Sequence, residues 1–208
     1  MRKLVAALAV CVPVVLAAQG TPPPAGQRGA GGQAPPATAR LSVSSPSFPD
    51  GGEIPMRFSF RGDNKSPAFE FHWMLGTAPG TAPAELQSYA VIFRDIENST
   101  MRTTVDTLHW SAFNIPAAAP GLAEGLPAGD LPDGTVHSPG LARRNNAPGA
   151  YFGPGAGPGP FHHYVFEFYA LDTKLTLPGT TTREELLKAM DGHVIGKAAY
   201  VGRFRATQ

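Results

Sequence analysis

Prolines and glycines interrupt almost every stretch of this 208-residue chain, 22 of the first and 24 of the second. A proline inside a helix removes a backbone donor and clashes with the preceding turn, and a glycine there costs conformational entropy. Long helices are therefore hard to place, whereas turns, bulges and strand edges accept both residues. Apolar residues still make up 42% of the chain, enough for a real core. The sequence points to one β-rich domain with appendages.

The appendages lie at the N-terminus. Arg2 and Lys3 precede an apolar run from Leu4 to Leu16, broken only by Pro13, and small residues Ala17 and Ala18 follow. That order predicts a signal peptide over residues 1–18 and an exported, periplasmic or secreted protein. The run falls short of the ~20 apolar residues that span a bilayer, so retention as a membrane anchor is the lesser reading. Cys11, the single cysteine, sits in this run. Its removal leaves no thiol, and the domain must rely on its core alone. Loss of Arg2 and Lys3 also reduces 17 basic residues to 15 against 16 acidic ones, a net charge of −1. No basic footprint for nucleic acid remains. Residues 19–40 hold almost no large apolar side chains and read as a disordered Gly/Pro/Ala-rich spacer. The folded domain is expected over 41–208.

Within it, strand signals run from Leu41 to Val43 and from Met56 to Phe60, where Met56, Phe58 and Phe60 alternate with Arg57 and Ser59. Phe69 to Trp73 is a third strand. Tyr89 to Phe93 is continuously apolar, as suits a strand buried on both faces. Leu108 to Ile115 and His162 to Leu171 are the longest candidates, and Ala198 to Phe204 is the last. Between Pro116 and Pro160, Gly, Pro and Asp dominate and predict long loops, which inside a compact domain are usually functional. One helix follows Thr181 or Thr182, with Glu184 or Glu185 completing a capping box and Asp191-Gly192 stopping it.

The chemistry-bearing residues sit on these strands. By alternation, His109, Ser111 and Phe113 share one face, opposite Leu108, Trp110 and Ala112. His162 opens an aromatic row with Tyr164, Phe166 and Phe168, where an imidazole is costly unless its nitrogens find partners. Asp95, at the end of the buried strand, is suited to fix a histidine tautomer or keep an imidazole protonated. The loop Tyr151 to Phe161 (YFGPGAGPGPF) offers backbone N–H groups on a stiffened frame. Imidazole N–H groups, loop amides and the Tyr164 hydroxyl together describe a receptor for a small oxyanion.

The order Ser66-Pro67, Asp95, His109-Trp110, Asn114-Ile115-Pro116, a Gly-Pro loop, His162-His163-Tyr164 and Asp191-Gly192-His193-Val194 resembles the phosphatidylethanolamine-binding protein family, in its bacterial branch similar to Raf kinase inhibitor protein. The resemblance covers residues 41 to 206. It implies an antiparallel Greek-key β-sandwich with a few peripheral helices and an end pocket for phosphate-like anions, phospholipid headgroups among them. Asp95, His109, His162 and Tyr164 look like the family's pocket residues, and Gly153-Pro154 to Gly159-Pro160 is similar to its pocket wall. The family's Asp-Pro-Asp-Ala-Pro stands here as Asp95-Ile96-Glu97-Asn98, so a looser rim and altered ligand choice are expected.

Three rival readings are open at this level. His109, His162 and Asp95 form a possible two-histidine, one-carboxylate metal set. A hydrolase or other acid–base enzyme could use the same residues or Ser111, although no Gly-x-Ser-x-Gly elbow exists. A kinase-regulator role would bring a protein partner to Arg143-Arg144. The favoured expectation is a binder rather than an enzyme, with no cofactor, a small anionic ligand or phospholipid headgroup as partner, and peripheral contact with a membrane.

Overall fold

The computed structural model describes residues 38–98, 102–138, 140 and 149–207. The expected signal peptide, the spacer up to residue 37 and Arg143-Arg144 lie outside the described residues. In chain order the elements are β1 (Arg40–Ser44), a 3-10 turn (Met56–Phe58), β2 (Phe69–Leu75), β3 (Ala78–Pro79), β4 (Ser88–Asp95), β5 (Thr107–Pro116), β6 (Gly121–Leu122), β7 (Val136–Ser138), β8 (His162–Leu171), α1 (Arg183–Met190) and β9 (Val194–Phe204).

Two antiparallel sheets result. The smaller joins β1, β2 and β3, with β6 also on β2; the larger runs β7-β5-β4-β8-β9. After β5 the chain visits the other sheet as β6 and the edge as β7, then returns as β8 beside β4. That long return is the connection expected of a Greek key.

The apolar run of β4 explains how the layers assemble. Tyr89, Val91 and Phe93 join the core between the sheets, where they meet Phe69, Phe166 and Phe168. Ala90 and Ile92 face the other way and are covered by Leu186 and Met190 of α1. Both faces of β4 are thus buried, as its lack of alternation predicts. The inter-sheet core is rich in aromatic contacts; Phe93 stacks on Phe166 at 3.9 Å between ring centroids. Helix α1 starts as its sequence requires. Thr182 accepts from the Glu185 amide while the Glu185 carboxylate accepts from the Thr182 amide, a complete capping box.

The alternating stretch Met56 to Phe60 is not a strand, which corrects the sequence reading. Pro55 presets its own φ near −57°, and its carbonyl accepts from the Phe58 amide. The Ser59 hydroxyl and amide both bond to the Met56 carbonyl. Local turn chemistry outweighs the period-two pattern: Phe58 is buried, while Met56 and Phe60 are exposed.

Two irregularities in β5 matter more. Phe93 pairs with Trp110 and Arg94 with Leu108, which leaves His109 as the extra residue of a β-bulge. A second break falls at Asn114, which adopts a left-handed φ of 57° and holds both the amide and the carbonyl of Leu175.

Candidate functional site

The bulge decides where His109 points. Simple alternation places it with Ser111, but the extra residue turns it to the same side as Trp110 and Ala112, against Phe93, Phe152 and Tyr164. Leu108 and Phe113 pack on the opposite face beneath α1. Ser111, opposite Ser138 across the β5–β7 pairing, is fully buried there and is separated from His109 by the sheet itself. The shared face of His109 and Ser111 is therefore corrected, and with it the Ser111 nucleophile.

His109 is 2% exposed. Its Nδ1 lies 2.8 Å from the Phe152 carbonyl oxygen. A carbonyl only accepts, so Nδ1 carries the proton and the state of Nε2 sets the ring's charge. The Tyr164 ring stands edge-on to His109 at 5.3 Å and roughly parallel to His162 at 6.4 Å. One phenol thus separates the two imidazoles.

Asp95, 3% exposed, ends β4 where β5 and β8 begin, and pairs with Thr107 and Tyr164. Its Oδ2 accepts from His162 Nδ1 at 2.8 Å, and its Oδ1 accepts from the Glu97 amide at 2.9 Å. His162 keeps 30% of its side chain exposed, so with Nδ1 committed to Asp95, Nε2 is the nitrogen turned to ligand or solvent.

Tyr164 is 0% exposed. Its oxygen accepts from the amides of Gly155 and Ala156, each at 3.1 Å. Burial first, and then the nearby Asp95 charge, push its pKa far above the usual phenol range, so the hydroxyl stays protonated. Loop amides hold Tyr164, and Asp95, its partner across the β4–β8 pairing, holds His162.

The rest of the Gly-Pro loop is anchored to the segment after the 3-10 turn. A side chain at Gly153 would stand 2.0 Å from the Phe58 carbonyl oxygen, so only glycine fits. The Gly153 amide donates to Asn64 Oδ1, Asn64 Nδ2 donates to the Tyr151 carbonyl, and the Pro154 carbonyl accepts from Phe60. Asn64 itself takes a left-handed φ of 54°. It is a positioning residue the sequence did not single out; an asparagine between Asp63 and Lys65 carried only a generic turn signal. At the far end Gly159 has φ +140° and its carbonyl accepts from Arg205 Nη1 at 3.1 Å. Pro160 follows, leading the chain into β8. The amides of Gly153, Gly155 and Ala156 thus serve the frame.

The rim beside Asp95 holds together without the family's prolines. Asp95 Oδ1 and the Glu97 amide close a local turn. The Glu97 carboxylate accepts from both the amide and Nδ1 of His163, at 2.5 and 2.9 Å. These bonds hold the Glu97 pKa below the usual carboxylate value. The longer acid reaches across to β8 and replaces covalent stiffness with a latch.

Among the described residues, no three His, Cys, Asp or Glu side chains converge closely enough to hold a metal ion. One serine does bond to a histidine: Ser44 Oγ lies 2.8 Å from His72 Nε2. Glu70 approaches that same nitrogen at 3.7 Å rather than Nδ1, and all three lie on the solvent side of β1 and β2. The acid does not orient the ring, so the group is no triad.

Comparison with known proteins places this geometry among relatives. A family model described as phosphatidylethanolamine-binding protein matches residues 44–205. A UPF0098 protein of Methanothermobacter thermautotrophicus is 36% identical over 166 residues, covering 79% of this chain and 99% of the relative. A protein of Mycobacterium tuberculosis named "Putative lipoprotein LppC" is 31% identical over 173 residues, covering 81% and 74%. The crystal structure of CT736 of Chlamydia trachomatis, described as a phosphatidylethanolamine-binding protein homolog, superposes with a TM-score of 0.66 at 28% identity, covering 81% of this chain and 99% of that one.

Proposed function

Because the chain belongs to the phosphatidylethanolamine-binding protein family, we propose that it binds a small phosphate- or carboxylate-bearing ligand, a phospholipid headgroup among them, at His162, with Asp95, His109 and Tyr164 as the supporting set. The observation that carries this reading is the buried Asp95–His162 pair. A buried carboxylate fixes His162 with Nδ1–H inward, and the protonated ring then offers Nε2–H outward to an anion. Charge-assisted bonds of this kind are worth ~1.5–3 kcal/mol. No step of bond making is assigned to the site.

Binding should weaken at alkaline pH, where an imidazole no longer donates from both nitrogens. Calorimetric titration with glycerophosphoethanolamine, a phosphodiester whose phosphate keeps one charge throughout, tests this. The expected result is about tenfold weaker binding at pH 8 than at pH 5. Equal affinity at both, or full affinity in His162→Ala, overturns the proposal.

The apolar Ile96 and Phe60 are exposed near this end, which supports contact with a headgroup still in its bilayer. Vesicle cosedimentation reduced in Ile96→Asp is the expected outcome; unchanged sedimentation counts against it. Export of the protein is likewise proposed, supported by the apolar run of residues 4–16 and the lipoprotein-named relative. N-terminal mass spectrometry of the mature protein should find residues 1–18 removed, and an intact terminus refutes cleavage.

A further inference from the structure

An open cleft of about 260 Å³ lies beside the Gly-Pro loop, lined by Pro158, Gly159, Arg205, Ala206 and Thr207. Its one charged lining residue is Arg205. This side chain is not a freely moving surface cation. Its guanidinium lies over the Phe161 ring at 4.2 Å, and Nη1 donates to the Gly159 carbonyl at 3.1 Å. The Ala206 amide meanwhile donates to the Ala156 carbonyl, which fixes the tail against the loop. One of five guanidinium donors is used, and the fork that carries the others is already ordered.

Charge balance bears on the same residue. Arg203 also lies over Phe161, at 4.9 Å, but Glu53 stands 3.8 Å from it. Arg57, Arg94 and Arg183 each have a carboxylate partner as well, whereas Arg61, over Phe60 and 3.5 Å from the Gly155 carbonyl, shares with Arg205 the lack of one among the described residues. No carboxylate among the described residues reaches Arg205 within ion-pair distance. Two guanidiniums therefore crowd one aromatic ring, and only one has a counter-charge. An anion in the cleft would supply the other, with Thr207 contributing its hydroxyl or amide.

We propose that this cleft is a second oxyanion subsite, in which Arg205 holds a phosphate, sulfate or carboxylate group independently of histidine protonation. Arginine stays charged at every accessible pH, so the subsite differs in kind from one built on an imidazole. In β8–β9 register His162 pairs with Phe204, so Arg205, one residue beyond, falls on the opposite face, with Arg203 over Phe161. The two sites share the Gly-Pro loop but open to different sides of the β8–β9 pairing, so each takes its own anion.

Sulfate is the appropriate probe, since its charge is constant between about pH 5.5 and pH 9 and only the protein titrates. By calorimetry the parent protein should still bind sulfate at the alkaline pH. Arg205→Gln should bind it about tenfold more weakly there, while keeping the gain in affinity on acidification. His162→Ala should do the reverse, losing the acid gain and keeping the alkaline component. Arg205→Lys, which retains charge without the stacked fork, should fall between. The two readings thus fail separately. Should Arg205→Gln not fold, amide chemical shifts of Gly159, Ala206 and Thr207 in the parent protein decide the matter. Sulfate at alkaline pH should move them. Unmoved shifts, or parental alkaline affinity in Arg205→Gln, overturn the subsite. Replacing sulfate by glycerophosphoethanolamine then tells whether a lipid headgroup or a free oxyanion uses it: a headgroup ligand loses affinity in Arg205→Gln, a free-anion site does not discriminate for it.

Discussion

Substituting Tyr164 by phenylalanine removes a single oxygen from the centre of the site, and the structure sets the size of the effect. That oxygen accepts from Gly155 and Ala156 at 3.1 Å each. Ala156 is buried, so its orphaned amide costs roughly 1–3 kcal/mol. Gly155 is partly exposed, and water can replace its lost partner, so about 0.5 kcal/mol is enough there. The total is about 1.5–3.5 kcal/mol. For a domain of this size each kcal/mol lowers Tm by roughly 2–4 °C, so a fall of about 3–14 °C is expected.

Thermal and urea unfolding give the magnitude, and amide hydrogen exchange gives the cause. Protection at Gly155 and Ala156 should drop far more than elsewhere in the loop. Tyr200→Phe is the control: that buried hydroxyl makes one bond, to the Phe48 carbonyl, and its loss should cost only about 1 kcal/mol. The reasoning is refuted if Tyr164→Phe is no worse than Tyr200→Phe. It is refuted equally if stability falls while the two loop amides keep their protection, since the hydroxyl would then not be what holds them.

Two further outcomes follow from residues away from the site. Asn114→Ala should lose about 2–4 kcal/mol, from strain at a left-handed φ of 57° and two broken bonds to Leu175, with headgroup affinity unchanged because four residues of β5 separate Asn114 from His109; urea midpoints and calorimetry check both halves, and lost affinity contradicts the separation. His137 is buried against Trp110 with no described hydrogen-bond partner for either nitrogen, and burial pushes its pKa down although the Gly149 and Pro127 carbonyls and the charges of Asp130 and Asp133 oppose this. The unfolded chain then binds more protons than the folded one below about pH 6.5, so stability falls as pH drops through that range. His137→Phe should flatten that acid limb in pH-dependent urea unfolding, and an unchanged limb rules His137 out as its source.

Much of the fold is legible in the sequence because its rules are local. The doubly buried β4 follows from Tyr89 to Phe93 lacking any polar alternation, and the Thr181-Thr182 and Glu184-Glu185 pairs mark the start of α1 to within one residue, the structure choosing Thr182 and Glu185. The misread segment, Met56 to Phe60, fails for an equally local reason: Pro55 and Ser59 supply turn bonds that a hydrophobic pattern does not register. The Asp95–His162 contact was legible in another way, through residue order and family likeness. Nothing in periodicity brings position 95 to position 162; the β4–β8 pairing does.

What the sequence hid is where regular structure breaks, and there the site is made. Strict alternation sends His109 to the face of Ser111, under α1, away from Tyr164. One unpaired residue opposite Phe93 and Arg94 reverses this without changing a single side chain. The same step severs the only serine that shared its face, so one backbone irregularity both builds the two-imidazole arrangement and removes a nucleophile from it. A bulge costs ladder hydrogen bonds and is kept only when the surroundings over-determine it. Here they do: His109 Nδ1 is tied to the Phe152 carbonyl, Phe152 stacks on Phe60, and Gly153 fits against Phe58 only because it lacks a side chain. The Gly-Pro loop is therefore less a cradle of free amides than a brace, spending its donors on Tyr164 and Asn64, the first of which stands between the two imidazoles.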